Sequence, residues 1–157
     1  MYRIMNMLIS LFLMLFLAQP NVDKNATPIA NSDSVTEVVI EGTDQMTFNL
    51  DEIKVKAGTT VKLTLNHVGK FPKQAMGHNW VLLKPDVVVK DFAMAAISAR
   101  DNDYIPKDTK DVIVHTDLIG GGESTTIEFE APAKGEYTFI CSFPGHYAKM
   151  IGKFIVE

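Results

Sequence analysis

Cysteine is almost absent: Cys141 is the one thiol in 157 residues, so no disulfide can close within the chain. Runs of lysine or arginine are also missing, and the formal net charge is −4. That balance excludes nucleic acid as the main partner, because neutralising phosphates needs a basic face. No internal repeat is evident, and no composition of a disordered or fibrous class. What remains, 46% hydrophobic and 22% charged residues, is ordinary for one globular domain.

One apolar run stands apart. Arg3 precedes Met7 to Ala18, a weakly positive start followed by about a dozen apolar residues, which is the pattern of a secretory signal. As a helix it would span roughly 20 Å, short of the ~30 Å hydrocarbon core. Phe16 spoils the small-x-small rule for cleavage after Ala18, and no cysteine follows the run to take a lipid. The expectation is therefore a signal over 1–19, either cleaved or retained as a tether, on an exported chain. A polar stretch over 20–37, with Asn, Asp, Ser, Thr and Pro, reads as a flexible linker to a domain over 38–157. An unpaired thiol in an oxidising compartment needs protection, which metal ligation or burial supplies.

Within that domain the rhythm is that of strands. Val38-Val39-Ile40 leads to Gly42; Phe48 and Leu50, then Ile53 and Val55, alternate with polar residues, with a change of phase at Asp51-Glu52. Val61, Leu63 and Leu65 alternate with Lys62, Thr64 and Asn66 as a half-buried strand does. Trp80 to Leu83, Val112 to Val114, Ile127 with Phe129, Tyr137 with Phe139, and Phe154 with Val156 supply further candidates. Short strands punctuated by turns predict an all-β antiparallel sandwich or barrel. One segment differs. Val88, Phe92, Ala95, Ala96 and Ala99 fall at helical spacing after Asp86, a candidate N-cap, so a helical flap is expected over about 86–100.

The chemistry collects in Cys141-Ser142-Phe143-Pro144-Gly145-His146-Tyr147-Ala148-Lys149-Met150. A thiol, an imidazole and a thioether, all ligands for soft or borderline metals, lie around a Pro-Gly turn. Cys141 ends a strand whose inward face is Tyr137 and Phe139, so its sulfur should point inward. His78, in Met76-Gly77-His78-Asn79-Trp80, is the best candidate for a fourth ligand. Two histidines and a cysteine with a long axial methionine are the donors of a copper–thiolate site. Zinc could take the same residues, though zinc sites more often lack a thioether. The bland alternative makes Cys141 a small buried hydrophobe and Met150 core filling. A catalytic one makes Cys141 a nucleophile, His146 its base and Asn79 the orienting residue, and leaves Met150 idle. His67 and His115 read as hydrogen-bonded or surface histidines, and Trp80 as core.

Met76-Gly77-His78-Asn79-Trp80-Val81-Leu82 resembles the first-ligand segment of the azurins, blue-copper proteins of the cupredoxin family. Cys141-x-Phe143-Pro144-Gly145-His146-x-x-x-Met150 resembles their C-terminal ligand loop, and His115-Thr116-x-Leu118-Ile119-Gly120 and Asp103-Tyr104 match further segments. The resemblance runs from about Val38 to Glu157 and implies a Greek-key cupredoxin sandwich. It implies copper held by His78, Cys141 and His146, with Met150 axial and the Gly77 carbonyl a weak second axial ligand. Asn79 and Ser142 would tie the two ligand segments together, and Phe143 would pack over the site and lend its amide to the Cys141 sulfur. Phe71, Pro72, Ala75, Met76, Pro144, Tyr147 and Ala148 would form an apolar docking face, with Lys73 and Lys149 at its rim. The implied function is one-electron transfer by a monomer, in the periplasm or held to a membrane, without enzymatic substrate. Its partners would be c-type cytochromes or copper and haem reductases and oxidases. A copper-delivery protein, which shares every ligand, is the alternative. The family's usual disulfide near the N-terminus has no counterpart, since no cysteine is left for it.

Overall fold

The computed structural model describes residues 34–157; the expected signal and most of the expected linker lie outside the described residues. The first strand, β1, covers Val35–Gly42, so the last three residues expected to be linker are paired in a sheet, with Val35 opposite Thr60. In chain order there follow β2 (Glu52–Val55), β3 (Thr60–His67), a short helix α1 (Lys73–Met76) and β4 (Val81–Leu83). Helix α2 (Val89–Ala96) continues as a 3-10 segment through Ile97–Asn102, and β5 (Val112–His115), β6 (Ser124–Glu130), β7 (Gly135–Ile140) and β8 (Ile151–Val156) complete the chain.

These strands make two sheets, ordered β1-β3-β6 and β2-β8-β7-β4-β5. The architecture is the expected all-β sandwich with one helical insertion, but its pairing is not purely antiparallel. β1 runs parallel to β3, and β2 parallel to β8. The cause is the path of the chain: it passes from β1 into the other sheet as β2 and returns as β3, so neighbours in one sheet are not joined by a hairpin.

Alternation fixes which side chains meet between the sheets. Val61, Leu63 and Leu65 on β3 are fully buried, and face Phe139, Phe154 and Val156 from the opposite sheet in one core cluster with Trp80 at its centre. The Trp80 ring lies 5.7 Å from Phe139, 5.9 Å from Phe154 and 6.0 Å from Phe129, centroid to centroid. Burying each such aliphatic or aromatic side chain contributes roughly 1.5–3 kcal/mol before entropy is counted. On the other face of the smaller sheet, Thr64 and Thr126 share a hydrogen bond of 2.9 Å, and Lys62 meets Glu37 at 3.1 Å.

β4 is buried on both faces, which is why its sequence is a continuous apolar run rather than an alternating one. The inward face joins the core; the outward one is covered by the insertion, where Val81, Leu83 and Ile140 pack with Phe92 and Ile105. The helix begins later than expected: its N-cap is Val88, with no side-chain cap, while Asp86 sits in the preceding turn at φ 68°. Helical structure also reaches Asn102, two residues beyond the expected flap.

Candidate metal centre

Two connections, α1 to β4 and β7 to β8, place the chemistry-bearing side chains. His78 follows α1 and is fixed by paired backbone bonds with Ile119, both 2.9 Å. Cys141 immediately follows β7, and Met150 immediately precedes β8. The Cys141 amide donates to the Met150 carbonyl at 3.0 Å, which closes the ligand loop at its base. Inside it the His146 amide donates to the Phe143 carbonyl at 3.0 Å across Pro144-Gly145, with Gly145 at φ 84°. Positive φ at the third position of that turn requires glycine or a close substitute.

The result is a convergence of buried donors. His78 Nδ1 and His146 Nδ1 are 3.2 Å apart; the Cys141 sulfur is 3.9 Å from the first and 3.6 Å from the second. The point equidistant from the three corners of that triangle is about 2.1 Å from each, the length of a metal–imidazole bond and slightly under a metal–thiolate bond. The donor set therefore fits one metal ion in the plane of the three atoms. Tautomers agree with this. His78 Nε2–H donates to the Thr43 carbonyl at 2.9 Å, which leaves the Nδ1 lone pair facing the centre. His146 Nε2 has no protein partner, and Trp80 Nε1 is the fully buried side-chain nitrogen or oxygen without one among the described residues. The outer edge of His146 thus reaches solvent, although the residue is only 3% exposed.

Burial sets the electrostatics. It pushes both imidazoles down to about 4 and the Cys141 thiol up to about 12. For His78 the Thr43 carbonyl opposes the shift and a charge on His67 would add to it; for His146 the neighbouring His78 adds to it. For the thiol, the backbone amides of Asn79 and Phe143 pull the other way by hydrogen-bonding the sulfur. A buried thiolate with only two amide donors is poorly compensated, and a cation at the centre is what would stabilise it.

Around this centre, the Gly77 carbonyl is 3.9 Å from the sulfur. Met150 is fully buried in one cluster with Cys141, Phe143, Leu118 and Tyr104. Asn79 bridges the two ligand segments: its Nδ2 donates to Ser142 Oγ at 2.8 Å, and Ser142 N donates to its Oδ1 at 2.8 Å. With its amide so engaged, Asn79 bonds neither histidine, unlike the orienting residue of a Cys–His–Asn hydrolase. Phe143 lies against the His146 ring at 4.6 Å. Of the residues expected at the docking face, Phe71, Pro72, Ala75 and Ala148 are exposed, while Met76, Pro144 and Tyr147 are half-buried. Lys149 is exposed, but Lys73 is paired with Asp103 at 3.3 Å.

Sequence reasoning passes over several contributors. His67 is 1% exposed and stacks on His78 at 4.2 Å; its Nε2–H donates to the Met76 carbonyl at 2.7 Å, so it braces a ligand without joining the converging atoms. Gly42 backs the His78 ring so closely that a Cβ there would lie 2.7 Å from Cδ2. A Cβ on Gly77 would meet the Lys73 carbonyl at 2.6 Å, which explains that glycine by packing. By the resemblance His67 corresponds to an azurin histidine close to the site, so its nearness was legible, while its stack on His78 was not. His115 is exposed, with Nδ1 3.0 Å from the Thr116 carbonyl.

A two-sheet β-sandwich with two histidines and one cysteine converging under its end loops defines a mononuclear, thiolate-centred metal protein. Residues 34–157 match the family of copper binding proteins of the plastocyanin/azurin type, and the chain belongs to that family. It is 46% identical over 121 residues to outer membrane protein H.8 of Neisseria meningitidis serogroup B, covering 73% of this chain. The match spans only 63% of that relative's length. The azurin of Bordetella pertussis is 43% identical over 122 residues, covering 73% of this chain and 79% of the relative. Among solved structures, auracyanin A of Chloroflexus aurantiacus, a "blue" copper protein, superposes with a TM-score of 0.72 at 31% identity, covering 79% of this chain and all of that one. Copper is thus the cofactor the family and the donor set both indicate, with His78, Cys141 and His146 positioned for it.

Proposed function

We propose that the protein is a one-electron carrier, and that His78, Cys141 and His146 would hold its copper, with Met150 and the Gly77 carbonyl as weaker ligands. The observation that carries this reading is the convergence of the three donor atoms inside a frame that clamps His78 and Cys141. Copper bound there would alternate between Cu(I) and Cu(II). The chain's own part is to hold one geometry for both states. His78 is fixed by Thr43, Ile119 and the Gly42 backbone, and Cys141 by the Asn79–Ser142 pair and the Met150 carbonyl. Burial excludes water from the sulfur, and the solvent-reaching edge of His146 leaves one route to a partner.

Phe71, Pro72, Ala75 and Ala148 are exposed apolar residues on the two ligand segments, and this reading assigns them to a small docking surface of the kind a transient complex uses. Redox proteins such as c-type cytochromes, or copper or haem reductases and oxidases, are the partners this reading implies, and no bond chemistry is assigned to the protein. Export is proposed on the apolar run Met7 to Ala18 and on the relative named an outer membrane protein. No helix among the described residues is long and apolar enough to cross a membrane.

Adding Cu(II) to the metal-free protein is expected to give an intense visible thiolate charge-transfer band at one equivalent, lost in Cys141→Ser. A colourless stoichiometric complex would overturn the copper–thiolate reading. A blue protein that small c-type cytochromes neither reduce nor oxidise would favour delivery over electron transfer.

A further inference from the structure

Two consecutive residues at the end of the helical insertion, Asp103 and Tyr104, adopt left-handed backbone conformations at φ 50° and φ 60°. Neither is glycine. Asp tolerates this region, but a bulky aromatic there is an outlier that persists only where surrounding contacts enforce it. Some contacts are local, as at a helix C-terminus: the Asp103 and Tyr104 amides both donate to the Ala99 carbonyl, the latter at 2.9 Å. The others lead to the metal loops. The Asp103 carbonyl accepts Asn79 Nδ2–H at 2.9 Å, from the same nitrogen that donates to Ser142. Asp103 Oδ2 accepts the Leu118 amide at 3.2 Å, and Oδ1 meets Lys73 Nζ at 3.3 Å. The buried Tyr104 ring packs edge-on against Phe143 at 5.1 Å. One turn thereby touches the segment before His78, the segment after it, the segment bridged to it at Ile119 and the segment after Cys141.

We propose that the Asp103–Tyr104 turn is a positioning device that aims the Asn79 amide, and through it locks the His78 and Cys141 segments at their metal-binding separation. Without the Asp103 carbonyl one Asn79 Nδ2–H loses its acceptor, and the amide plane that presents Oδ1 to Ser142 N–H is free to turn. Holding the carbonyl in place requires the left-handed turn, and the Leu118 and Lys73 contacts keep the turn from relaxing. The insertion is thus more than a cover for β4: its last residues act on the ligand frame.

The test begins on the metal-free full chain, where backbone hydrogen exchange is read at Ser142 and, as a reference for global unfolding, at Leu63 in the middle of β3. Asp103→Asn keeps both an acceptor for Leu118 and tolerance of the left-handed region, so Ser142 should exchange as in the wild type. Asp103→Gly keeps the backbone shape but loses the side chain, and should give an intermediate rate. Asp103→Ala loses both and should speed Ser142 exchange on the order of tenfold with Leu63 unchanged. With copper bound, Asp103→Ala should show a displaced reduction potential and an altered charge-transfer band, both restored in Asp103→Asn. This second readout rests on the copper reading; the exchange comparison does not. A wild-type protein without the band would defeat the copper reading alone. Unchanged Ser142 exchange in Asp103→Ala, or an equal acceleration at Leu63, would defeat the positioning role. If Asp103→Ala fails to fold, Asp103→Gly decides by the same comparison.

Discussion

At the scale of single residues, the centre is a set of groups kept neutral by burial. The two imidazoles are pushed down to about 4 and the thiol up to about 12, so at neutral pH the metal-free site carries one removable proton, on sulfur. Copper uptake near pH 7 is therefore expected to release one proton, measurable by calorimetry in buffers of different ionisation heat. Release of none, or of two or more, would contradict the assignment of Cys141 as the thiolate ligand with both histidines already neutral. Stability carries the opposite signature. An unfolded imidazole titrates near 6.5, so between that value and about 4 the unfolded chain binds more protons than the folded one. Metal-free protein should thus lose stability as pH falls through that window, by on the order of 1 kcal/mol per pH unit for each histidine. The thiol acts at the other end: it should cost stability as pH rises from about 9 toward 12. Denaturant midpoints measured across pH test both limbs.

At the scale of elements, the helical insertion is what a twice-buried strand demands. β4 holds Val81 and Leu83 on a face that would otherwise meet water, and Phe92 of α2 is the buried aromatic that the insertion packs over it. Phe92→Ala is expected to destabilise the fold by about 3 kcal/mol or more, read as a lowered urea midpoint. The half-buried Tyr147 packs into the same cluster, so the loss should also loosen the turn that carries His146. A midpoint shift below about 1 kcal/mol would mean that the helix rides on the sheet without bracing it. The apolar run Trp80 to Leu83 signalled a strand, and the spacing from Val88 to Ala99 signalled the helix. What the sequence did not disclose was that each exists because of the other. The cap was misread for a related reason: Asp86 has the right chemistry for an N-cap, but its left-handed backbone places it in the turn instead.

At the scale of the whole molecule, the ligand segments expose apolar side chains such as Phe71 and Ala148, while the outer face of the smaller sheet carries Glu37, Glu128 and Glu130. Ala148 is exposed two residues from His146, at the place where a partner must approach the solvent-reaching edge. Ala148→Glu is expected to slow electron exchange with a c-type cytochrome on the order of tenfold, by desolvation and charge at the contact, while leaving the reduction potential nearly unchanged. Stopped-flow mixing measures this. An unchanged rate would place the docking surface elsewhere on the protein. On the proposed electron-transfer reading, steering by charge would fall to Lys149 rather than Lys73, because Lys73 is partnered by Asp103.

The sequence by itself marked the candidate ligands and the strands. A cysteine, a histidine and a methionine around Pro144-Gly145 are local, and residue type plus spacing is enough to mark them; alternation does the same for Val61, Leu63 and Leu65. Membership of the copper-binding family was legible for the same reason, since its motifs are short and contiguous. Tertiary structure alone decided what lies behind those ligands. Gly42, Thr43 and His67 come to His78 from β1, its turn and β3, and Asp103 reaches Asn79 from the end of the insertion. Their residue types are ordinary for turns and strands, and only the crossing of the chain between sheets brings them to one point. The parallel pairing of β1 with β3 was hidden likewise, because hydrophobic alternation fixes which face is buried and carries no record of strand direction.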